Sequence, residues 1–389
     1  MRRPSGLGSD RLLLQEKVWS GITPPRNMKW AINICSISSA IIPVAKALLA
    51  VLFSATIVSC SNEMQIEELA PVPMAITNHA IAAAKVDGRD YVYTFGGLGE
   101  GKTHEDITLR SFKYDVTANI WSEIGALPDT MGKVAAAAST VNGKIYIIGG
   151  YHVFPDGHEK SSAKVHVYDP ATDQFLPDAT DIPIPIDDQV QVVWQDKLIY
   201  VISGWCDSLN INKVQVFDPA KNQWQQGNDL PLTPEFSVFG STGVCIGDQI
   251  YFAGGAGNRK DGNFPLQSFL RIGSINPDNP TQVTWSSSEN KSARLYRPAV
   301  GIINGQPLWI GGAAQSYNYN GIAYVGNPVE PLEALRSFDP SSGSWADQPI
   351  ALKVMDLRGS AQIGNKDIII AGGMGANQIV SNKTVRLTF

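Results

Sequence analysis

The chain has 389 residues, 43% hydrophobic and 17% charged, a balance that supplies a large globular core and excludes a disordered chain. Its net charge of −5 argues against nucleic acid as a partner, because neutralising phosphates requires a basic face and no basic run occurs in the folded part. Four cysteines, Cys35, Cys60, Cys206 and Cys245, form no CxxC pair and none stands near a histidine at zinc spacing, so neither a metal nor another cofactor is expected. The 36 glycines and 24 prolines cut the chain into many short elements, the composition of an all-β architecture.

In chain order, residues 1–59 come first and read as an address with the true start at Met28. Lys29 and Lys46 precede the apolar run Ala47 to Val58, too short to span a bilayer comfortably, and small Ser59 stands before Cys60. The tetrad Ile57-Val58-Ser59-Cys60 resembles the lipobox of bacterial lipoproteins, which implies lipidation at Cys60 and a chain contacting membrane only through that anchor. Serine at position 61 is similar to the outer-membrane sorting signal, so the periplasm or cell surface is the expected location.

Residues 60–389 form the second part, in which a short apolar strand ending in two small residues recurs six times: VYTFGG (92–97), IYIIGG (145–150), IYVISG (199–204), IYFAGG (250–255), LWIGG (308–312) and IIIAGG (368–373). A second pattern follows in four repeats, YDVTANIW, YDPATDQF, FDPAKNQW and FDPSSGSW, each setting two aromatics seven apart across a turn. The spacing predicts a hairpin whose aromatics pack between neighbouring units. In the fourth repeat FLRIGSINPDNPTQVTW predicts a longer hairpin reaching Trp285. The sixth repeat stops at Phe389 with three strands, and MQIEELAPVP at 64–73 matches the outer strand and exit of other repeats, so the N-terminal strand is expected to close the ring.

These motifs resemble the kelch repeat over about residues 64–389, which implies an all-β, six-bladed β-propeller. Lettering the strands of a blade a to d from centre to rim, the diglycine ends strand b, and the b–c and d–a loops share one face. His79, Lys133, Asp188, Glu235, Arg297 and Arg358 enter the six strands a and are expected at the channel mouth, with the two arginines as carboxylate clamps. Tyr151 and Trp205, directly after two diglycines, are the expected stacking wall. The long b–c loops 151–164 and 313–335, the latter with Tyr317, Tyr319 and Tyr324, read as contact loops.

No GxSxG elbow or phosphate loop occurs, and all five histidines lie between His79 and His166, which excludes a copper centre of the galactose-oxidase kind. Two functions of different class follow. One is an exported, lipid-anchored binding propeller for a glycan, a small acidic sugar or a protein segment at the b–c and d–a face. The alternative rests on a similarity in size, blade number, export and arginines to the N-acetylneuraminate epimerase type, which implies sugar-acid mutarotation. A Gly-Glu pair after a strand b, expected for that family, is not found at residues 252–263, which supply only Asp261, and Glu235 or Asp188 would have to substitute.

Overall fold

A computed structural model describes Met64–Phe389; Cys35, the apolar run 47–58 and Cys60 lie outside the described residues. Alternation of apolar and small residues writes six antiparallel sheets, one per repeat. Strands a are Ala80–Val86, Val134–Val141, Val190–Trp194, Thr242–Ile246, Ala299–Ile303 and Ala361–Ile363. Blade four has the longest outer hairpin, Phe269–Asn276 with Asn279–Glu289. In blade six the outer strand is Gln65–Leu69, paired antiparallel with Thr384–Thr388 from Gln65 opposite Thr388 to Leu69 opposite Thr384. Among the described residues no helix is long and apolar enough to cross a membrane.

The paired aromatics face each other directly across the c–d hairpins. Ring centroids are 5.0 Å apart for Tyr114 and Trp121, 5.0 Å for Tyr168 and Phe175, and 4.8 Å for Phe217 and Trp224. Neighbouring blades add Tyr93 to Tyr168 at 5.4 Å and Tyr146 to Phe217 at 5.7 Å, which turns each hairpin into an interblade seam. Blade four achieves this differently. Gly273 stands opposite Trp285, and a Cβ there would lie 2.4 Å from the indole, so the missing aromatic makes room for the one present.

The diglycines have an equally direct cause. Gly149 and Gly150 have φ of 69° and 82°, and a Cβ would stand 2.2 Å from the Ile186 carbonyl oxygen in one case and 2.7 Å from that of Val134 in the other. The connector entering a blade thus lies against the end of strand b. From there the blades are linked by a closed ring of backbone hydrogen bonds around the axis. The N–H of Ala135 donates to Asn78 (3.0 Å), Asp188 to Ala135 (3.1 Å), Gly240 to Asp188 (2.9 Å), Arg297 to Gly240 (2.8 Å), Leu357 to Arg297 (3.1 Å) and Asn78 to Asp356 (3.0 Å). Asn78, Ala135, Asp188, Gly240, Arg297 and Asp356 all have φ between 47° and 67°. That left-handed conformation suits Asn, Asp and Gly and is uncommon for Arg and Ala.

Candidate functional site

The ring corrects the expected mouth. Of the six residues assigned to the strand entrances, only Asp188 and Arg297 occupy ring positions; His79, Lys133 and Glu235 are displaced and point elsewhere, while Arg358, two residues past the ring, still reaches the axis. His79 is wedged against blade six, where a Cβ on Gly372 would lie 3.1 Å from its Cε1. It is 3% exposed, its Nδ1 has no partner, and burial pushes its pKa down to about 4. The folded state therefore holds it neutral while an unfolded chain binds a proton below 6.5. Stability is complete above that value and is lost as pH falls toward 4, by about 3 kcal/mol from this group alone. Denaturant titrations of His79→Gln should show a flatter stability profile than the parent between pH 6.5 and 4; parallel profiles would contradict the assignment.

Lys133 turns away from the axis into the seam between blades one and two. Its Nζ lies 2.6 Å from Asp129 Oδ2 and 2.9 Å from His166 Nε2, and His166 Nδ1 is 2.8 Å from Asp178. Glu235 is on the connector into blade four, where its carbonyl, not its carboxylate, accepts from Arg271 Nε at 2.6 Å. Arg271 exposes a recurring device. Side chains at the same place in strand c, His166, Gln215, Arg271 and Arg336, each reach the connector entering their own blade. All four stand two residues before the position of the c-strand aromatic, a signal legible in HVY, QVF and RSF and hidden in RIG.

Arg297 and Arg358 meet on the axis with Asp188 and with Asp356, which sequence reasoning missed. Arg297 Nε and Nη2 donate to the two Asp188 oxygens at 3.1 and 2.5 Å, and Nη1 donates to Asp356 Oδ1 at 2.8 Å. Arg358 reaches across from blade six, placing Nη1 2.9 Å from Asp188 Oδ1 and donating from Nη2 to the Gln189 carbonyl at 2.8 Å. Thr77 Oγ1 donates to the other oxygen of Asp356 at 2.9 Å. Both arginine side chains are 1% exposed. Two cations and two anions make a neutral plug, and the guanidinium groups expected to clamp a ligand are held by internal carboxylates instead. Below the plug the strands a enclose a pit of about 320 Å³ walled by small and apolar residues such as Ala82, Ala137, Val192 and Val300.

Above the plug, the residues after the diglycines, Leu98, Tyr151, Trp205, Ala256, Ala313 and Met374, pack into one apolar cluster drawn from all six blades. Tyr151 is 5% exposed within it; Trp205 is half-buried and packs on Phe239 and Phe264 with centroids 5.6 and 5.4 Å away. The long loop of blade five folds inward: Tyr317 is fully buried and lies over the Arg297 guanidinium, 5.4 Å from ring centroid to Cζ. Tyr319 and Tyr324 alone of that trio keep surface at the rim. The rim also holds two carboxyls that sequence reasoning passed over. In blade two, strand b continues as Lys144–Val153 and pairs with Glu159–Ser161, so Val153 faces Glu159 and Tyr151 faces Ser161. Asp187 lies beside them, its Oδ2 accepting from Ser161 Oγ at 2.6 Å. Burial raises the pKa of Glu159, and burial with the nearby Asp188 charge raises that of Asp187 well above the usual carboxylate range.

Cys206 and Cys245 are both free thiols. Among the described residues no group of three metal-ligating side chains comes together.

Residues 78–270 match the family model of the KLHDC2/KLHL20/DRC7 Kelch-repeats domain. The chain is a six-bladed propeller of kelch repeats. Kelch-like protein terF of Aspergillus terreus is 27% identical over 304 residues, covering 73% of this chain and 59% of that protein. Kelch-like protein 35 of Mus musculus is 31% identical over 150 residues, 38% of this chain and 23% of that protein. N-acetylneuraminate epimerase 1 of Escherichia coli is a distant relative, 24% identical over 234 residues, 50% of this chain and 60% of that protein. The chain thus spans less than two thirds of each of these curated relatives. The solved structure of YjhT superposes with a TM-score of 0.65 at 18% identity, covering 82% of this chain and 97% of that one, a likeness of fold.

Proposed function

We propose that this kelch propeller is a binding module that holds a segment of a partner protein on the face built by its b–c loops and d–a connectors. One observation carries the reading. Four large apolar side chains stand out from that face, Leu209 at 51%, Leu232 at 88%, Val325 at 59% and Ile379 at 64% exposure, each on a different loop. Leu232 borders a groove of about 590 Å³ lined further by Pro234, Asn258, Lys260 and Pro265. Scattered single leucines are ordinary, but an apolar tip bordering a groove, with three more on other loops of the same face, is the anatomy of a contact surface. The kelch-like names of the relatives agree with this reading. In it the partner segment takes the place of a sugar acid, because the arginines that would clamp an acid are internally paired.

Peptides selected from a random library against the propeller test it. Leu232→Asp and Leu209→Asp should each weaken a selected peptide about ten-fold or more, as expected where a central apolar anchor is lost, with melting unchanged. Selected peptides that bind both variants as well as the parent would count against this face.

A second reading is kept for Glu159 and Asp187. Two carboxyls with raised pKa at one rim are a possible acid and base for mutarotation, which supports an epimerase-like activity. Anomer exchange of N-acetylneuraminate, followed by NMR with the parent and with Glu159→Gln, decides it: an unaccelerated exchange removes the reading. Export and acylation at Cys60 complete the proposal, on the strength of the charge, apolar run and tetrad before that cysteine. Mass spectrometry of the mature N-terminus checks this, and an unmodified N-terminus upstream of Cys60 would refute it.

A further inference from the structure

The plug is neutral, but the rim above it is not. Glu159, Asp187 and Asp207 lie together there: Asp207 Oδ1 accepts from the Ser161 N–H at 2.9 Å, the Asp207 N–H donates to Ser161 Oγ at 3.1 Å, and that hydroxyl donates to Asp187. None of the three carboxylates is in an ion pair among the described residues. Arg297 is the cation whose field reaches Glu159 and Asp187, and its three donating nitrogens are already on Asp188 and Asp356. Asp187 is only 3% exposed, and its second oxygen receives no donor from the protein. Burial disfavours the charge of a carboxyl whose one donor is a hydroxyl, and a cation from outside would restore it.

The walls of this site are aromatic. Trp205 directly precedes Cys206 and Asp207 and pairs in the backbone with Asp187, while Tyr319 and Tyr324 feel the charge of Glu159 from blade five. Phe264 closes the side between Trp205 and Tyr324, at 5.4 and 4.5 Å. Half-exposed ring faces beside unpaired carboxylates are the surroundings that favour a guanidinium or ammonium group.

We infer that the rim formed by Glu159, Asp187, Asp207 and Trp205 is a pocket for a basic side chain, arginine or lysine, presented by the partner segment. This rests on the proposed segment-binding face and adds its charge specificity. The apolar tips hold the flanking residues; the pocket selects the cation between them.

The probes are N-acetyl-arginine amide and its neutral isostere N-acetyl-citrulline amide, titrated by NMR into the full chain at pH 8. The arginine probe should bind at millimolar concentration or below and about ten-fold more tightly than citrulline, the loss expected when a charge-assisted contact becomes neutral. Glu159→Gln, at the partly exposed edge, should weaken the arginine probe about five-fold or more. Trp205→Leu should do the same and leave citrulline unaffected. Affinity should also fall as pH is lowered, because burial raises the pKa of Glu159 and Asp187 and a protonated carboxyl loses its charge; His158, Asp188, Arg297, Tyr151, Tyr319 and Tyr324 are the titratable and charged groups around them. Equal binding of the two probes, absence of binding, or indifference to Glu159→Gln would each overturn the pocket. Any of these would leave the segment-binding face intact if library peptides still require Leu209 and Leu232. Conversely, arginine binding with no selectable peptide would keep the pocket and remove the segment.

Discussion

Replacing Arg297 by alanine is expected to destabilise the propeller by about 3–5 kcal/mol, the cost of breaking a buried ion network from one side. The residue holds three blades together. Its side chain joins Asp188 of blade three to Asp356 of blade six from a place in blade five, and its backbone occupies a link of the axial hydrogen-bond ring. Removal leaves Asp356, which is fully buried, with Thr77 as its remaining side-chain donor, and leaves Asp188 with Arg358. Both would be charged groups in a site water does not reach. The double change Arg297→Met, Asp356→Asn should recover part of the loss, because Asp188 stays paired with Arg358 and no charge is then left unpaired. Denaturant unfolding of the two variants checks this. An Arg297→Ala protein within about 1 kcal/mol of the parent would mean that the plug braces nothing.

Deleting residues 64–69 should have an effect of similar size through a different cause. Gln65–Leu69 forms the outer strand of blade six, so its loss uncovers the whole edge of Thr384–Thr388. Ladder bonds contribute about 1 kcal/mol each net, so a paired five-residue strand contributes about 3–5 kcal/mol before the buried Leu69 is counted. The pairs Lys383 with Glu68 (2.9 Å) and Arg386 with Glu67 (3.3 Å) are exposed and add little. The uncovered edge is also a template for aggregation. The shortened chain is expected to melt at lower temperature and to self-associate, and a synthetic peptide of residues 61–73 added in trans should reverse both. Unchanged melting would show that the first and last strands contribute little to the ring.

The repeat was open to reading from sequence because its physics is local. Diglycines at the end of strand b and aromatics seven apart are demanded by a close backbone approach and a hairpin, and both leave a fixed spacing. The mouth was harder to read because it depends on register. Lys133 and Ala135 are two residues apart, yet one points into a seam and the other occupies the axial ring, where the left-handed backbone of Ala135 itself breaks simple alternation. Arg358 is charged and near a strand start, as the sequence shows, but its partner at Asp188 comes from the opposite side of the ring, and no local pattern announces a contact across a channel. Tyr317 reads as an exposed contact residue in a polar loop and is instead drawn over Arg297. Glu159 escaped notice because its importance comes from the hairpin that turns it toward Tyr151 and Val153.

The account's central claim is that partners are held on the loop face above the plug. Amide hydrogen exchange of the propeller with and without a library-selected peptide tests it most directly. Protection is expected over residues 205–210, 232–237, 257–267 and 319–330, the segments carrying the apolar tips, the groove and the rim. Protection confined instead to strands a around the pit, such as 137–140 and 242–245, with those loops unchanged, would contradict it.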